Sequence, residues 1–258
     1  MRRSLHFDLL RAVKVSIAAI PLLLSLWSCD GEPPQPSPST GPTGTASCLG
    51  LKVSTSACHC PLECHIKGEM QTYYFTEAKP LVEEYFKSQY KQMPVPKNYW
   101  FLPTGTTKQS GCAGTEDDKS YEYCATDDSI YIGQELLWQL YSAFGAAGPI
   151  VGLAHEWGHH VQAKVGVPFP TTNAETVNHE NQADCIAGAW VNYADSKNYI
   201  EYPKDLVNID TLFVALGDAE GPAQTHGTPK ERVRSFELGH SEGLRRCNDF
   251  YPATPVLG

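Results

Sequence analysis

The sequence predicts a mainly helical α+β fold with a small β-sheet. Residues 147–165 carry an apolar stripe with spacings of four, three, four and four, which is the period of an α-helix. Two capping boxes, Thr172–Glu175 and Thr228–Glu231, mark the starts of further helices. Residues 128–133 read as a short strand bounded by turn residues. With 258 residues, 41% of them hydrophobic, the chain can bury a sizeable core.

Residues 1–28 are predicted to form an export signal of the lipoprotein type. Basic residues precede an apolar run, Val15–Trp27, that is too short for a comfortable membrane span. The run ends in Leu26-Trp27-Ser28-Cys29, which resembles a bacterial lipobox. Cys29 is therefore expected to carry lipid, and this lipid is expected to anchor the chain to a membrane. The alternatives are an ordinary cleaved signal, which gives a secreted protein, or an uncleaved anchor, and all three place the rest of the chain outside the cytoplasm.

Two regions follow the signal. Residues 29–46 are rich in Pro, Ser, Gly and Thr and predict a tether that does not pack. Residues 47–258 are expected to form one folded domain. The net charge of −9 and the pI near 5.4 argue against nucleic acid as a partner, because such a protein would present a basic face.

The cysteines favour disulfide bonds. Eight remain once the predicted lipid-bearing cysteine is set aside, an even number that suits an oxidising compartment. Cys112 and Cys124 are expected to pair across a short loop. A zinc site at Cys58, Cys60 and Cys64 is the alternative for that cluster, but the segment contains no C-x-x-C pair and export favours bridges.

The first predicted helix covers residues 76–92. Its apolar residues lie on one side, and Pro94 and Pro96 end it. A loop with several glycines is expected to follow, before the strand at residues 128–133. The helix over residues 147–165 comes next, and Gly166 ends it.

Three helices complete the predicted fold. The second capping segment, at Thr172, opens a helix that runs to about Ala194. Residues 204–216 are predicted to form another helix. The last begins at Thr228, with Pro229 in its first turn.

The helix over residues 147–165 contains the motif His155-Glu156-Trp157-Gly158-His159-His160. His155 and His159 are four residues apart, so they lie on one helical face and can bind one metal ion together. Glu156 can then act as general base on a metal-activated water. This is the core of a zinc hydrolase, most often a peptidase, and Zn²⁺ is the predicted cofactor.

A catalytic zinc site needs a third protein ligand. Glu180 is the candidate, because it lies one turn from Asp184 on the predicted helix after residue 172. Small residues on that side, Ala183, Ala187 and Gly188, would let this helix approach the metal helix closely. Asp184 is expected to accept the N–H of a ligand histidine and so to fix its tautomer. His179 is the rival third ligand.

These segments resemble the bacterial putative neutral zinc metallopeptidases. The resemblance rests on three blocks in order: His155–Gln162, Glu180–Trp190 as E-x-Q-A-D-C-x-A-G-x-W, and His226-Gly227-Thr228 followed by Arg232-Val233-Arg234 and Phe236. It covers roughly residues 110–250 and extends to Cys247-Asn248-Asp249-Phe250.

The resemblance implies a zincin-like domain in which the H-E-x-x-H helix packs on the helix that carries the third ligand. It implies His155 and His159 as zinc ligands, Glu156 as the catalytic residue, and a Cys185–Cys247 disulfide. The geometry of the related gluzincin peptidases implies His155 as the partner of Asp184. The family does not supply a substrate.

The sequence therefore predicts an extracytoplasmic zinc endopeptidase that cleaves a peptide or protein substrate. His226 or Tyr131 is expected to stabilise the oxyanion, and the strand around Tyr131 to present an edge to an extended peptide. The first alternative is a catalytically inactive, zinc-containing binding lipoprotein. A remote one is a serine hydrolase using Ser241 in Gly239-His240-Ser241-Glu242-Gly243, which lacks the strand-to-helix context of a nucleophile elbow.

Overall fold

The computed structural model describes residues 71–258, apart from residues 73, 113, 201–203, 220 and 222 and the side chains of residues 204–208. The predicted signal, the tether, Cys29 and the other cysteines before residue 71 lie outside the described residues. The described part confirms the predicted class, since it is mainly helical with a three-stranded and a two-stranded sheet. None of its helices combines the length and the apolar character needed to cross a bilayer.

The elements follow one another with short connections. A π-helical turn, Tyr74–Ala78, leads into the first α-helix. The helices are α1 Lys79–Gln89, α2 Gln134–Phe144, α3 Ala147–Val165, α4 Asn173–Ser196, α5 Lys204–Leu216 and α6 Pro229–Glu242, followed by a 3₁₀ helix, Leu244–Asp249. The strands are β1 Asn98–Leu102, β2 Thr107–Gln109, β3 Thr115–Asp117, β4 Tyr121–Cys124 and β5 Ser129–Gly133.

The three-stranded sheet has β5 in its centre. β1 pairs with β5 in parallel and β4 pairs with it antiparallel, whereas β2 and β3 form a separate antiparallel pair. Ile130 and Ile132 of β5 belong to the main hydrophobic core. Tyr131 points to the other face, where it packs with Leu102 and Cys124.

The sheet corrects two expectations. The segment between α1 and β5 is not simply a loop, because it holds four short strands. The strand around Tyr131 is not an edge, because β5 is paired on both sides. In the described part of the chain, β4 pairs with β5 alone and so has a free edge.

Helix α2 was not predicted from the sequence. Its Leu136, Leu137, Leu140 and Phe144 are buried, so the element is stabilised by packing. Gly133 stands at its N-cap and offers no side chain to accept a backbone N–H. A sequence pattern therefore gives no start signal for this helix.

Helix α3 lies at the centre of the molecule and has the predicted bounds. Trp157 stacks on Phe86 of α1, with ring centroids 4.8 Å apart, and its indole N–H donates to the Tyr99 hydroxyl at 3.0 Å. The helix ends at Gly166, whose φ of +83° is the left-handed conformation that favours glycine. These contacts fix α3 against α1 and β1.

Helix α4 lies between α3 and α6. Its predicted capping box at Thr172 is present, as is the one at Thr228 that starts α6. A Cβ added to Gly158 of α3 would lie 2.9 Å from Cα of Ala183, so the two backbones nearly touch. The expected role of Ala183 is thus confirmed.

Gly188 has a different role from the expected one, and Gly152 accommodates a side chain. Gly188 faces α6, where an added Cβ would lie 2.0 Å from the carbonyl oxygen of Phe236, and so does not face the metal helix. Gly152 of α3 makes room for the ring of Tyr121 and not for another backbone. Two disulfides, Cys112–Cys124 and Cys185–Cys247, match the expected pairs.

Candidate metal centre

His155 and His159 lie one turn apart on the inner face of α3. Their Nε2 atoms are 3.1 Å from each other, and the rings meet edge to face. Their side chains are 11% and 14% exposed, so both are largely buried by the surrounding helices. The spacing that the motif predicts therefore brings two imidazole nitrogens to one place.

Glu180 of α4 reaches the same place. Its carboxylate oxygens lie 3.2 Å from Nε2 of His155 and 3.3 Å from Nε2 of His159. One ligand atom from each of the three residues lies within 4.8 Å of the other two. Two imidazoles and one carboxylate form the donor set that binds zinc in catalytic sites, so the residues present fit that ion.

The electrostatics of this cluster favour a bound cation. Burial alone would lower the pKa of His155, but Asp184 and Glu180 outweigh it and raise that pKa to about 10. Burial alone would raise the pKa of Glu180, but the neighbouring imidazoles hold it well below its usual range. The carboxylates thus attract positive charge to the point that the three ligand atoms share.

The carboxylate of Asp184 lies beside the ring of His155. Its Oδ1 lies 2.8 Å from Nδ1 of that histidine. Arg232 of α6 binds the same carboxylate in bidentate fashion, with Nε 2.8 Å from Oδ2 and Nη2 2.7 Å from Oδ1. Asp184 is fully buried and Arg232 is 4% exposed, so the pair is desolvated.

Arg232 is a functional neighbour of the site that no sequence motif indicates by itself. It is a buried cation on the apolar side of α6, four residues before the buried Phe236. Such a residue must have an acidic partner, because an isolated buried charge is very costly. That signal indicates an ion pair, but the sequence alone does not identify Asp184 as the partner.

His159 is oriented by a neutral group. Its Nδ1 lies 2.8 Å from Oε1 of Gln162, three residues along α3. Gln162 is fully buried. In the sequence, Gln162 is only the last residue of the first family block, and no local pattern indicates its contact with His159.

Glu156 lies beside strand β4. Its Oε2 accepts the backbone N–H of Tyr123 at 2.7 Å. The residue is 6% exposed, and burial raises the pKa of its carboxyl group despite the opposing effect of His155 and His159. The predicted general base therefore lies between the metal ligands and the outer edge of β4.

The two other histidines of this region are not among the converging ligands. His179 stacks on the ring of His159, with centroids 5.2 Å apart, and burial lowers its pKa to about 3. His160 uses both ring nitrogens, 3.0 Å from Oδ1 of Asp128 and 2.8 Å from the carbonyl oxygen of Pro94. We assign His160 a structural role, since both of its nitrogens are occupied.

His226 lies in the loop before α6. Its Nδ1 lies 3.5 Å from Oδ2 of Asp218, and its Nε2 is buried without a hydrogen-bond partner. Gly227, with a φ of +88°, leaves space for the side-chain amide of Asn181, the residue after Glu180. The loop that carries His226 therefore packs next to the part of α4 that supplies the third ligand.

Two other expected residues do not reach the ligand cluster. The hydroxyl of Tyr131 donates to Asp127 at 2.6 Å on the far face of the sheet, where both residues line a surface cavity of about 540 Å³. Ser241 lies near the end of α6, is exposed, and donates to the carbonyl oxygen of Glu237 at 2.7 Å. This helical serine cannot form a nucleophile elbow, which joins a strand to a helix, so the serine-hydrolase reading is wrong.

Fold and site together have the arrangement expected of a zincin-like domain. One helix supplies two histidines and the glutamate between them, the next supplies a carboxylate, and a free strand edge lies beside the glutamate. The chain belongs to the family described as putative neutral zinc metallopeptidase, whose model matches residues 63–250.

Relatives that share sequence with the chain are described as uncharacterized proteins. The chain is 29% identical to the uncharacterized protein Rv2575 of Mycobacterium tuberculosis over 57% of this chain and 60% of that protein. It is 29% identical to the uncharacterized protein YpfJ of Escherichia coli K12 over 55% of this chain and 58% of that protein. The matched region thus spans about 60% of the length of each relative. No solved structure matches the chain.

Proposed function

We propose that this protein is a zinc-dependent endopeptidase in which His155, His159 and Glu180 bind the metal and Glu156 is the general base. The observation that carries the proposal is the convergence of three ligand atoms within 4.8 Å, with a buried glutamate directly beside the first of them. When bound, zinc would supply a Lewis acid that lowers the pKa of water towards about 7.

Glu156 moves the proton. Its Oε2 is held by the Tyr123 amide, so Oε1 is the oxygen that takes the proton of the attacking water. The same carboxyl group then passes this proton to the leaving amine. Burial raises the pKa of Glu156 and so brings it closer to the working pH, which favours both transfers.

His226 is proposed as the donor to the oxyanion that develops on the substrate carbonyl. Asp218 holds it in two ways, by accepting its backbone N–H at 2.7 Å and by facing its Nδ1. The buried, unpartnered Nε2 is the atom left to donate. A preorganised donor of this kind contributes to catalysis because it needs no rearrangement during the reaction.

The free edge of β4 is proposed to align the substrate. The backbone N–H of Tyr123 points away from β5 and towards Glu156, so the outward backbone groups of this strand face the site. An extended peptide can pair with such an edge through main-chain hydrogen bonds. A free edge does not require a chain end, which favours an endopeptidase.

Metal analysis combined with Glu156→Gln tests the proposal. We expect one zinc per chain in both forms, and cleavage of a peptide library by the parent that falls at least about 100-fold in the variant. Glu77→Gln, on the exposed surface of the first helical turn, is the control and should leave both measurements unchanged. Full activity in Glu156→Gln would contradict the proposal.

The alternative of a zinc-containing binding protein has a separate outcome in the same experiment. It predicts stoichiometric zinc in the parent and in Glu156→Gln, with no cleavage by either. Loss of zinc from a His155→Ala variant would then still locate the metal, because that change removes one of the three converging atoms.

We propose further that the protein is exported and held at a bacterial membrane by lipid on Cys29. The lipobox-like segment and the two disulfides of the described domain support this, since disulfides persist in oxidising compartments. Cys29→Ser should move the protein out of the membrane fraction and abolish labelling with a radioactive fatty acid. Ser37→Ala, in the predicted tether, should change neither result.

A further inference from the structure

Two buried glutamines connect the ligand His159 to a backbone carbonyl at the end of the domain. Gln162 of α3 and Gln182 of α4 are both fully buried. Oε1 of Gln162 lies 2.8 Å from Nδ1 of His159, and its Nε2 donates to Oε1 of Gln182 at 3.0 Å. Nε2 of Gln182 donates to the carbonyl oxygen of Cys247 at 2.8 Å.

Backbone carbonyls fix which atom of each glutamine amide donates and which accepts. Nε2 of Gln162 also contacts the carbonyl oxygen of His179 at 2.8 Å, and a carbonyl can only accept a hydrogen bond. The nitrogen of Gln162 must therefore lie on that side, which turns its oxygen towards His159. The carbonyl of Cys247 orients Gln182 in the same way.

The orientation of the Gln162 amide determines which nitrogen of His159 carries the proton. The oxygen of Gln162 can only accept, so Nδ1 of His159 must be the donor. Nε2 then offers its lone pair to the point that it shares with His155 and Glu180. A flipped amide would place two acceptors or two donors together at a buried site, which is costly.

We infer that Gln162 and Gln182 are positioning residues that hold His159 in the tautomer able to bind zinc. This inference rests on the proposed function, because it assigns the groups that orient one of the proposed ligands. The two histidines are then held by different chemistry: His155 faces the charged Asp184–Arg232 pair, and His159 a neutral amide relay. The relay ends on Cys247, which a disulfide joins to α4 at Cys185.

Zinc affinity of the full-length protein tests the relay without any need for activity. Gln162→Met and Gln182→Met keep the side-chain length but remove the amides. Competition with a chelator should show about a 10–100-fold loss of affinity for Gln162→Met and a smaller loss for Gln182→Met. The double variant should be no weaker than Gln162→Met, because the two residues act in series on one histidine.

Proton NMR of the Co²⁺-substituted protein adds a readout specific to His159. Each ligand histidine with a protonated Nδ1 should give one shifted, exchangeable ring N–H signal. Gln162→Met should expose one of the two signals to rapid exchange with water and leave the signal of His155 in place. Gln182→Met leaves Gln162 and its contact with the carbonyl oxygen of His179 in place, so it should retain both signals with faster exchange of that of His159, which keeps the test valid if Gln162→Met does not fold.

Asn192→Met is the matched control. Asn192 lies on the same helix as Gln182 and also donates its amide to a backbone carbonyl, that of His240 at 2.8 Å, but it has no connection to His159. It should keep the affinity and both signals. Unchanged zinc affinity and signals in Gln162→Met would overturn the relay and leave the zinc peptidase standing, whereas a parent that binds no zinc would overturn both.

Discussion

Asp184 shows how one buried side chain can serve two partners. It contacts His155 with one oxygen and binds Arg232 through both. Burial alone would raise the pKa of Asp184, but Arg232 and His155 lower it, so it stays ionised. The same negative charge therefore supports a metal ligand and neutralises a buried guanidinium.

Asp184→Asn removes the negative charge of this side chain but keeps its shape, so it separates the two effects of the charge from a simple loss of packing. We expect the free energy of unfolding to fall by about 3–5 kcal/mol, because Arg232 is left as an unpaired buried charge. Zinc affinity should fall about 10–100-fold through His155. Urea unfolding and chelator competition measure the two quantities.

The double variant Asp184→Leu/Arg232→Met is the control for this prediction. It removes both charges, so it should recover much of the stability while zinc affinity stays low. Recovery of zinc affinity together with stability would contradict a role of Asp184 in orienting His155.

Glu122 of β4 gives the domain a dependence on pH. Burial, followed by the neighbouring Glu116, raises the pKa of Glu122 to about 8. A carboxyl group with a raised pKa in the folded state stabilises the fold below its unfolded pKa, near 4.5, and loses that contribution as the pH rises through 8. The free energy of unfolding should therefore decrease between about pH 4.5 and pH 8.

Glu122→Gln tests this dependence. It should remove the decrease and stabilise the protein at pH 8 by on the order of 2 kcal/mol, after allowance for solvent screening. Urea unfolding at pH 5 and pH 8 measures the difference, with the exposed Glu77→Gln as control. An equal decrease in Glu122→Gln and the parent would show that other groups cause it.

At the scale of elements, the distance between α3 and α4 decides whether Glu180 reaches the two histidines. Gly158 allows the close approach, because an added Cβ would lie 2.9 Å from Cα of Ala183 and 3.1 Å from its Cβ. That neighbour is backbone, so it cannot move aside without moving α4. A glycine that weakens a helix locally is therefore needed for the packing of two helices.

Gly158→Ala should push α4 away from α3. The gain of about 1 kcal/mol in helix propensity should be outweighed by an overlap cost of about 1–3 kcal/mol. Glu180 should be displaced, so zinc affinity should fall, by about tenfold or more. Thermal unfolding and chelator competition measure the two effects.

Gly152→Ala is the matched control on the same helix. Its added Cβ also meets an atom at 2.9 Å, but that atom belongs to the ring of Tyr121 and not to α4. It should destabilise the fold without a specific loss of zinc affinity. Equal losses of affinity in both variants would argue against the role of the α3–α4 distance.

The helices show where sequence patterns suffice. Helix α3 and helix α5 have the predicted bounds, and the capping boxes start α4 and α6 as expected. Helix α2 and the strands before β5 were missed. They lack capping signals or clear alternation, and β1 pairs with a strand about thirty residues further along the chain.

At the scale of the whole molecule, the Cys185–Cys247 bond closes a long section of chain. The two cysteines are 62 residues apart, against 12 residues for Cys112–Cys124. The loop-entropy relation gives about 4 kcal/mol for the longer loop and about 3 kcal/mol for the shorter. The longer loop also ends on the carbonyl that anchors Gln182.

Cys185→Ser/Cys247→Ser should therefore destabilise the protein more than Cys112→Ser/Cys124→Ser does. It should also lower zinc affinity through the loss of a fixed end for the glutamine relay, and the other pair should not. Urea unfolding and chelator competition on both double variants make the comparison. Equal zinc affinities would contradict a link between this disulfide and the metal site.

The sequence by itself determined the local features of this protein: the two histidines one turn apart, the glutamate between them, the helix caps and the glycine stops. Each depends on residues within a few positions of one another, so helical geometry fixes it. Only the tertiary structure decided the partners of Asp184 and Gln182. These partners are Arg232, 48 residues from Asp184, and the carbonyl of Cys247, 65 residues from Gln182. It also decided that β5 is central and β4 is an edge strand in the described part of the chain, because packing and strand order bring together groups that no local period records.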